Sequence, residues 1–207
     1  GSFSITALTS NTTNDTTPIL DWEDATDGIT YDYAIDDTSG CGSPIESGNT
    51  ASSTYTVPGA LGEGTYYLCV TANDAVTNTT DATNNNYTFT IDSSAPNTPA
   101  PPTDAGTYSG TTITIDWVAP TDTGPSGIAS YHLQVGTTQG GNDLFDANVG
   151  NVVTKDVTGV NGAIYYARIK AIDNATNESL YSGNSNGVTV DGTGPTTPGS
   201  LKTAPDS

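Results

Sequence analysis

The side chains able to do chemistry in this sequence are overwhelmingly oxygen ligands. Among 207 residues there are 23 Asp and Glu against four Lys and Arg, with one His, two Cys and a formal net charge of −19. A nucleophilic triad would have to be built on His132, which stands between two residues of inward phase, Tyr131 and Leu133, so its ring is expected on the solvent side. Neighbouring carboxylates such as Asp36 and Asp37 are plentiful. Glycoside cleavage, however, needs two acids facing each other across a cleft, which a narrow sandwich does not offer. The residue types therefore argue against an enzyme. What they invite is a hard divalent cation: loop carboxylates and amide oxygens suit calcium far better than zinc or copper.

The distribution of charge narrows the partners further. Residues 1–92 carry 13 acids and no Lys or Arg, and residues 93–191 carry nine acids against Lys155, Arg168 and Lys170. Such a surface repels phosphate backbones and anionic lipid, which argues against nucleic-acid binding. No apolar run is long enough to span a bilayer, so direct membrane insertion is not expected.

The elements that must position these groups are legible from an internal repeat. "TIDSSAPNTP" (Thr90 to Pro99) returns as "TVDGTGPTTP" (Thr189 to Pro198), and "YYLCVTANDAVTN" (Tyr66 to Asn78) returns as "YYARIKAIDNATN" (Tyr165 to Asn177), each 99 positions later. A shared offset in separate segments is a repeat period. Within each copy apolar residues alternate in period 2, the signature of half-buried strands. One face carries Pro18, Leu20 and Trp22 against Ile113, Ile115 and Trp117, and then Tyr31, Tyr33 and Ile35 against Tyr131, Leu133 and Val135. Later in the chain come Tyr66, Leu68, Val70 and Ala72 against Tyr165, Ala167, Ile169 and Ala171, and last Tyr87, Phe89 and Ile91 against Asn186, Val188 and Val190. Turn-rich stretches such as "DATDGI" and "GALGEG" separate them. The expected fold is all-β: two tandem antiparallel β-sandwiches of about seven strands joined by a Pro-rich linker. The expected units are residues 1–92 and 93–191, with 192–207 as a linker and the start of a third module.

The Trp on the first inward strand, the Tyr on the next, and "GTYYLCVTAND" or "AIYYARIKAIDNATNESLYS" after a short turn resemble the fibronectin type III pattern and its bacterial Ig-like relatives. The resemblance spans both repeats. It implies a tyrosine corner at Tyr66 and Tyr165, with Leu61 and Val160 in the preceding turns, and modules of an extracellular or cell-surface protein.

Cys69 has the outward phase of its strand, and Cys41 follows the strand expected beside it. With no CxxC spacing and no histidine in the same repeat, a structural disulfide across the outer face is expected rather than a metal or redox site. It also implies an oxidising compartment. Lys155 shares the inward phase of Tyr55, the one position where a lysine crosslink to Asn or Asp would be conceivable, and the first repeat has no lysine.

Sandwich topology places the exit of the first module beside two loops at the entry of the second. Asp92, Asp122, Asp173 and Asn177 would then gather at one joint, with Asn174 and Glu178 nearby. Two readings stand for them: solvated acids, with Asp173 bracing its own turn, or a calcium site that stiffens the linker. The latter is also what the resemblance to D-x-x-A-P-linked bacterial adhesin repeats implies. No cofactor is required otherwise. The functional expectation is a non-catalytic extracellular spacer or stalk whose partners are neighbouring modules of its own chain. The alternative is a carbohydrate- or protein-binding adhesive module accessory to a glycan-active enzyme, with Tyr67, Tyr166, Tyr181 and Tyr108 as outward aromatics for a platform.

Overall fold

The computed structural model describes residues 1–8, 10–104, 107–108, 110–197 and 199. Its first half holds β1 (Thr12–Thr13), β2 (Ile19–Asp21), β3 (Thr30–Asp36), β4 (Glu46–Thr50), β5 (Thr54–Thr56), β6 (Gly64–Asn73), β7 (Thr79–Asp81) and β8 (Tyr87–Ile91). The second holds β9 (Thr107–Tyr108), β10 (Thr112–Asp116), β11 (Ile128–Gly136), β12 (Phe145–Gly150), β13 (Thr154–Thr158), β14 (Ile164–Asp173) and β15 (Val188–Val190).

Period-2 alternation dictates the layers, because a strand with one apolar face must bury that face against another sheet. In the first module the sheet order β1-β8-β6-β3-β4, with β7 on β6, packs over the β2-β5 pair. In the second, β12-β11-β14-β15-β9 packs over β10-β13. The chain thus forms two β-sandwiches in tandem. Each encloses its own cluster, one running from Phe3 to Ile91 and the other from Ile113 to Val190.

The cores repeat one design. Tyr31, Tyr33 and Ile35 lie opposite Ala72, Val70 and Leu68, while Tyr131, Leu133 and Val135 lie opposite Ala171, Ile169 and Ala167. Trp22 meets Tyr31 with ring centroids 5.7 Å apart, and Trp117 meets Tyr131 at the same distance. The tyrosine corners close differently. The Tyr66 hydroxyl donates to the Gly62 carbonyl at 3.0 Å, whereas the Tyr165 hydroxyl accepts from the Val160 amide at 3.0 Å.

The outer faces diverge at one register position. Ala34 pairs with Cys69 in the first module and Gln134 with Arg168 in the second. Cys69 is bonded to Cys41, whose loop is held by Asp36 accepting from Ser43 N and from the amide and hydroxyl of Thr38. A bridge over a sequence separation of 28 contributes about 3–4 kcal/mol by loop entropy. In the second module the same place is occupied by Arg168, whose Nε donates to Gln134 at 2.8 Å and whose guanidinium lies 4.6 Å from the Tyr181 ring centre.

One expected strand residue is corrected. Asn186 is exposed rather than inward, because the chain before β15 does not run as a ladder strand. Ser179, Ser182 and Ser185, every third residue, are buried against β14. Their amides donate to the carbonyls of Ala171, Ile169 and Ala167, and their hydroxyl oxygens accept from the amides of those same residues. Three residues of this segment span two of β14, so a side-chain oxygen stands in for the carbonyl that a strand would present. Ser182→Ala should leave the Ile169 amide buried without an acceptor, lowering the stability of the second module by about 1–3 kcal/mol in calorimetric melting. An unchanged melt would show that the hydroxyl ladder is dispensable.

Candidate functional site: a carboxylate cluster between the modules

The last strand of the first module delivers an acid directly into the second. Asp92 follows β8, its amide donates to Thr13 O at 2.9 Å, and none of its surface is exposed. Its Oδ1 accepts from Ser94 N in its own turn at 3.1 Å, and its Oδ2 accepts from Ser126 N of the second module at 2.9 Å. The loop between β10 and β11 must come very close to do this. A Cβ at Gly124 would stand 1.9 Å from Asp92 Oδ1, so only glycine fits there.

Asp122 shapes that loop by accepting from Gly124 N at 3.3 Å and Gly127 N at 2.7 Å. Asp173, at the end of β14, accepts from the backbone and side-chain nitrogens of Asn177, each at 2.8 Å. Asn177 Nδ2 also donates across the joint to the main-chain oxygens of Asp92 at 2.8 Å and Ser94 at 3.3 Å. Asn174 ties the same turn to the loop through Ser126 O and Gly127 O. Glu178 points elsewhere, paired with Lys170 on the outer face.

The fold therefore brings Asp92, Asp122 and Asp173 together, with one carboxylate oxygen of each lying within 4.8 Å of the others. Asp92 and Asp173 are buried, and among the described residues no basic side chain pairs with any of the three. Burial, the largest cause, and repulsion from Asp92 and Asp122 raise the Asp173 pKa above 3.8, against the lowering effect of the Asn177 bonds. The donor set fits a calcium ion. Ligand oxygens about 2.3–2.6 Å from one centre lie within about 5 Å of one another. A further oxygen, Ser126 Oγ, is buried without a hydrogen-bond partner on the residue whose amide binds Asp92. Nothing in the sequence pattern singled out Ser126.

The linker is fastened to the second module as well as stiffened. Pro96, Pro99 and Pro102 are buried. Asn97 donates to Thr121 O and Oγ1, Thr123 Oγ1 donates to Ala95 O, and Thr103 pairs with Asp116.

The remaining candidates do not form a common site. His132 lies on the outer face, 2.6 Å from Asp146, whose carboxyl is lowered to about 2 first by that contact and then by Gln134 and Asn142. Tyr67 and Tyr166 are half-buried, with Tyr166 resting on Gly187. Tyr181 is flanked by Arg168, Lys170 and His132. The Tyr108 side chain, like Pro198 and residues 200–207 of the expected third module, lies outside the described residues. Lys155 pairs opposite Ile115, with its ammonium 5.7 Å from the Phe145 ring centre.

Residues 4–93 match the family described as a bacterial Ig-like domain. The first module thus matches that family, and both modules have the tandem Ig-like, fibronectin type III-like β-sandwich fold. The Clostridium thermocellum CbhA fibronectin(III)-like modules superpose with a TM-score of 0.57 at 13% identity, covering 91% of this chain and 94% of theirs. The FN1–FN3 domains of chicken CNTN1 give 0.54 at 11% identity, covering 91% and 63%. Exoglucanase A of Cellulomonas fimi is 36% identical over 143 residues, 64% of this chain and 15% of that protein. The chain thus spans about 15% of the length of this curated relative.

A carboxyl whose pKa is raised by folding favours the folded state below its unfolded pKa, an advantage lost as pH rises through the folded value. In calcium-free solution the Asp173 side chain should accordingly titrate above 3.8, which carboxyl carbon shifts in an NMR pH series will read. A midpoint at or below 3.8 would remove the account of burial and repulsion.

Proposed function

We propose that this chain is a non-catalytic module pair, accessory to a glycan-active enzyme in an extracellular multidomain protein, and that calcium at Asp92, Asp122 and Asp173 fixes the angle between its modules. The observation that carries the calcium reading is the burial of Asp92, at the exit of the first module, against two acids of the second within 4.8 Å. Similarity to part of an exoglucanase supports the accessory role over a free-standing stalk, and the Cys41–Cys69 bond supports an oxidising, extracellular setting. The proposed module bounds are residues 1–92 and 93–191, supported by the two separate cores.

Calcium at a hundredfold excess over its dissociation constant should stabilise the joint by about 2.7 kcal/mol. It should raise the melting temperature and narrow the range of shapes seen by small-angle scattering, with both effects lost in Asp92→Ala and Asp173→Ala. Because a proton competes with the cation at Asp173, the gain should shrink as pH falls through its raised pKa. Identical melting and scattering in calcium and in chelator would refute the calcium reading.

Direct glycan contact is a second reading, favoured by one observation. Tyr181 on the outer face is surrounded by Arg168, Lys170 and His132, with Gln134 and Asp146 alongside. The polar rim and aromatic ring together have the makings of a sugar subsite. Adsorption of the chain to insoluble β-glucan that falls severalfold in Tyr181→Ala would establish it, and no adsorption by the unaltered chain would leave the accessory role purely positional.

A further inference from the structure

The repeat makes it possible to ask what occupies, in the first module, the place where the second receives Asp92. The turn at the end of β6 is the same as the turn at the end of β14. Asp74 N donates to Asn78 O at 3.0 Å, and Asp173 N donates to Asn177 O at 3.1 Å. Thr77 and Thr176 both have positive φ, 65° and 72°. Asp74 accepts from Asn78 N at 2.9 Å and Asn78 Nδ2 at 2.7 Å, matching Asp173 and Asn177.

In the second module the Asn177 amide then reaches the main-chain oxygens of Asp92 and Ser94. In the first module, among the described residues, the Asn78 amide donates to Asp74 and to no main-chain oxygen of a preceding segment. A cavity of about 140 Å³ lies there, lined by Asp27, Gly28, Asp74 and Asn78 among others and bordered by Gly1, whose ammonium donates to Thr26 O. The loop after Trp22 that borders this cavity is shorter than its counterpart: Ile29 follows Trp22 by seven positions, whereas Ile128 follows Trp117 by eleven.

The matching plug is present at the other end of the chain. Asp191, 99 positions after Asp92, accepts from Thr193 N at 3.1 Å, as Asp92 accepts from Ser94 N at 3.1 Å. We propose that the cavity at Asp27, Asp74 and Asn78 is a docking socket for the Asp-x-Ser/Thr exit turn of a preceding module of this kind. Asn78 is its main-chain clamp. The turn at 191–193 of a second copy is the occupant that the chain itself supplies. The assignment rests on the reading that the Asp92 joint holds its two modules at a fixed angle.

The test is a fused chain, residues 1–197 followed by residues 3–207, with spin labels carried on unnatural amino acids. One pair, Ser47 and Asn148 of the same copy, spans the native joint. The other, Asn148 of the first copy and Ser47 of the second, spans the new joint. In millimolar calcium the new joint should give a distance distribution as narrow as the native one, and Asn78→Ala in the second copy should broaden the new joint alone. A broad distribution at the new joint beside a narrow native one would overturn the socket while leaving the Asp92 joint intact. A broad distribution at both would overturn the two readings together. A new joint that stays narrow in Asn78→Ala would remove Asn78 as the clamp.

Discussion

The relation between the two modules depends on how the Asp92 carboxylate replaces the water it has lost. A fully buried carboxylate is tolerated only where donors or a cation take over its solvation. Ser94 provides one donor from the first module's own exit turn and Ser126 provides one from the second module. The Asn177 amide binds the main-chain oxygen of the same residue. The charge of one module is therefore solvated by the other, and pulling them apart would rearrange hydrogen bonds rather than simply expose apolar surface. Two like charges lie close by. Neutral donors satisfy individual oxygens, but they do not cancel the mutual repulsion of three acids, and a divalent cation does.

Behind this joint the two sandwiches share a core and differ at the surface. Register is fixed by the inward set, since a slip of one residue would turn Leu133 or Tyr33 to solvent. The outward set is free of that constraint. At the position shared by Cys69 and Arg168, one module holds a covalent bridge and the other a cation stacked on Tyr181 and bonded to Gln134. The first module has no Lys or Arg with which to build the second arrangement. The asymmetry in charge and the asymmetry in crosslinking thus have one origin in composition.

The core was legible in the sequence because period-2 alternation, read from residues such as Tyr31, Tyr33 and Ile35, is a direct image of the pleat. The meeting of Asp92 with Asp122 and Asp173 was legible for a different reason: topology alone brings a module's exit to the next module's entry loops. What stayed hidden has no periodic signature. Ser179, Ser182 and Ser185 look like a polar turn, since a serine hydroxyl replacing a backbone acceptor leaves no apolar alternation, and the same irregularity put Asn186 outside. The Asn177 amide nitrogen proved to be a donor bridging two modules, a role that depends on which carbonyl faces it. Ser126 was invisible because its part rests on a backbone amide, which every residue type has.

The proline linker and the carboxylate cluster act on different parts of the joint. Pro96, Pro99 and Pro102 restrict φ and are buried, and Asn97 and Thr103 bond to Thr121 and Asp116, so the linker from residue 96 onward is tied to the second module. On the other side, Ser93 is held to the first module through Glu63, which accepts from its amide and its hydroxyl. The chain between these two anchored parts is short, four peptide units from Asp92 to Pro96. That short stretch is where Asp92, Ser94 and Ala95 make their bonds to the second module. Proline stiffness is constant, whereas the energy of three crowded carboxylates depends on protons and cations in the medium. On the proposed calcium reading, a joint built from the two together has its reach set by the chain and its rigidity set by its surroundings.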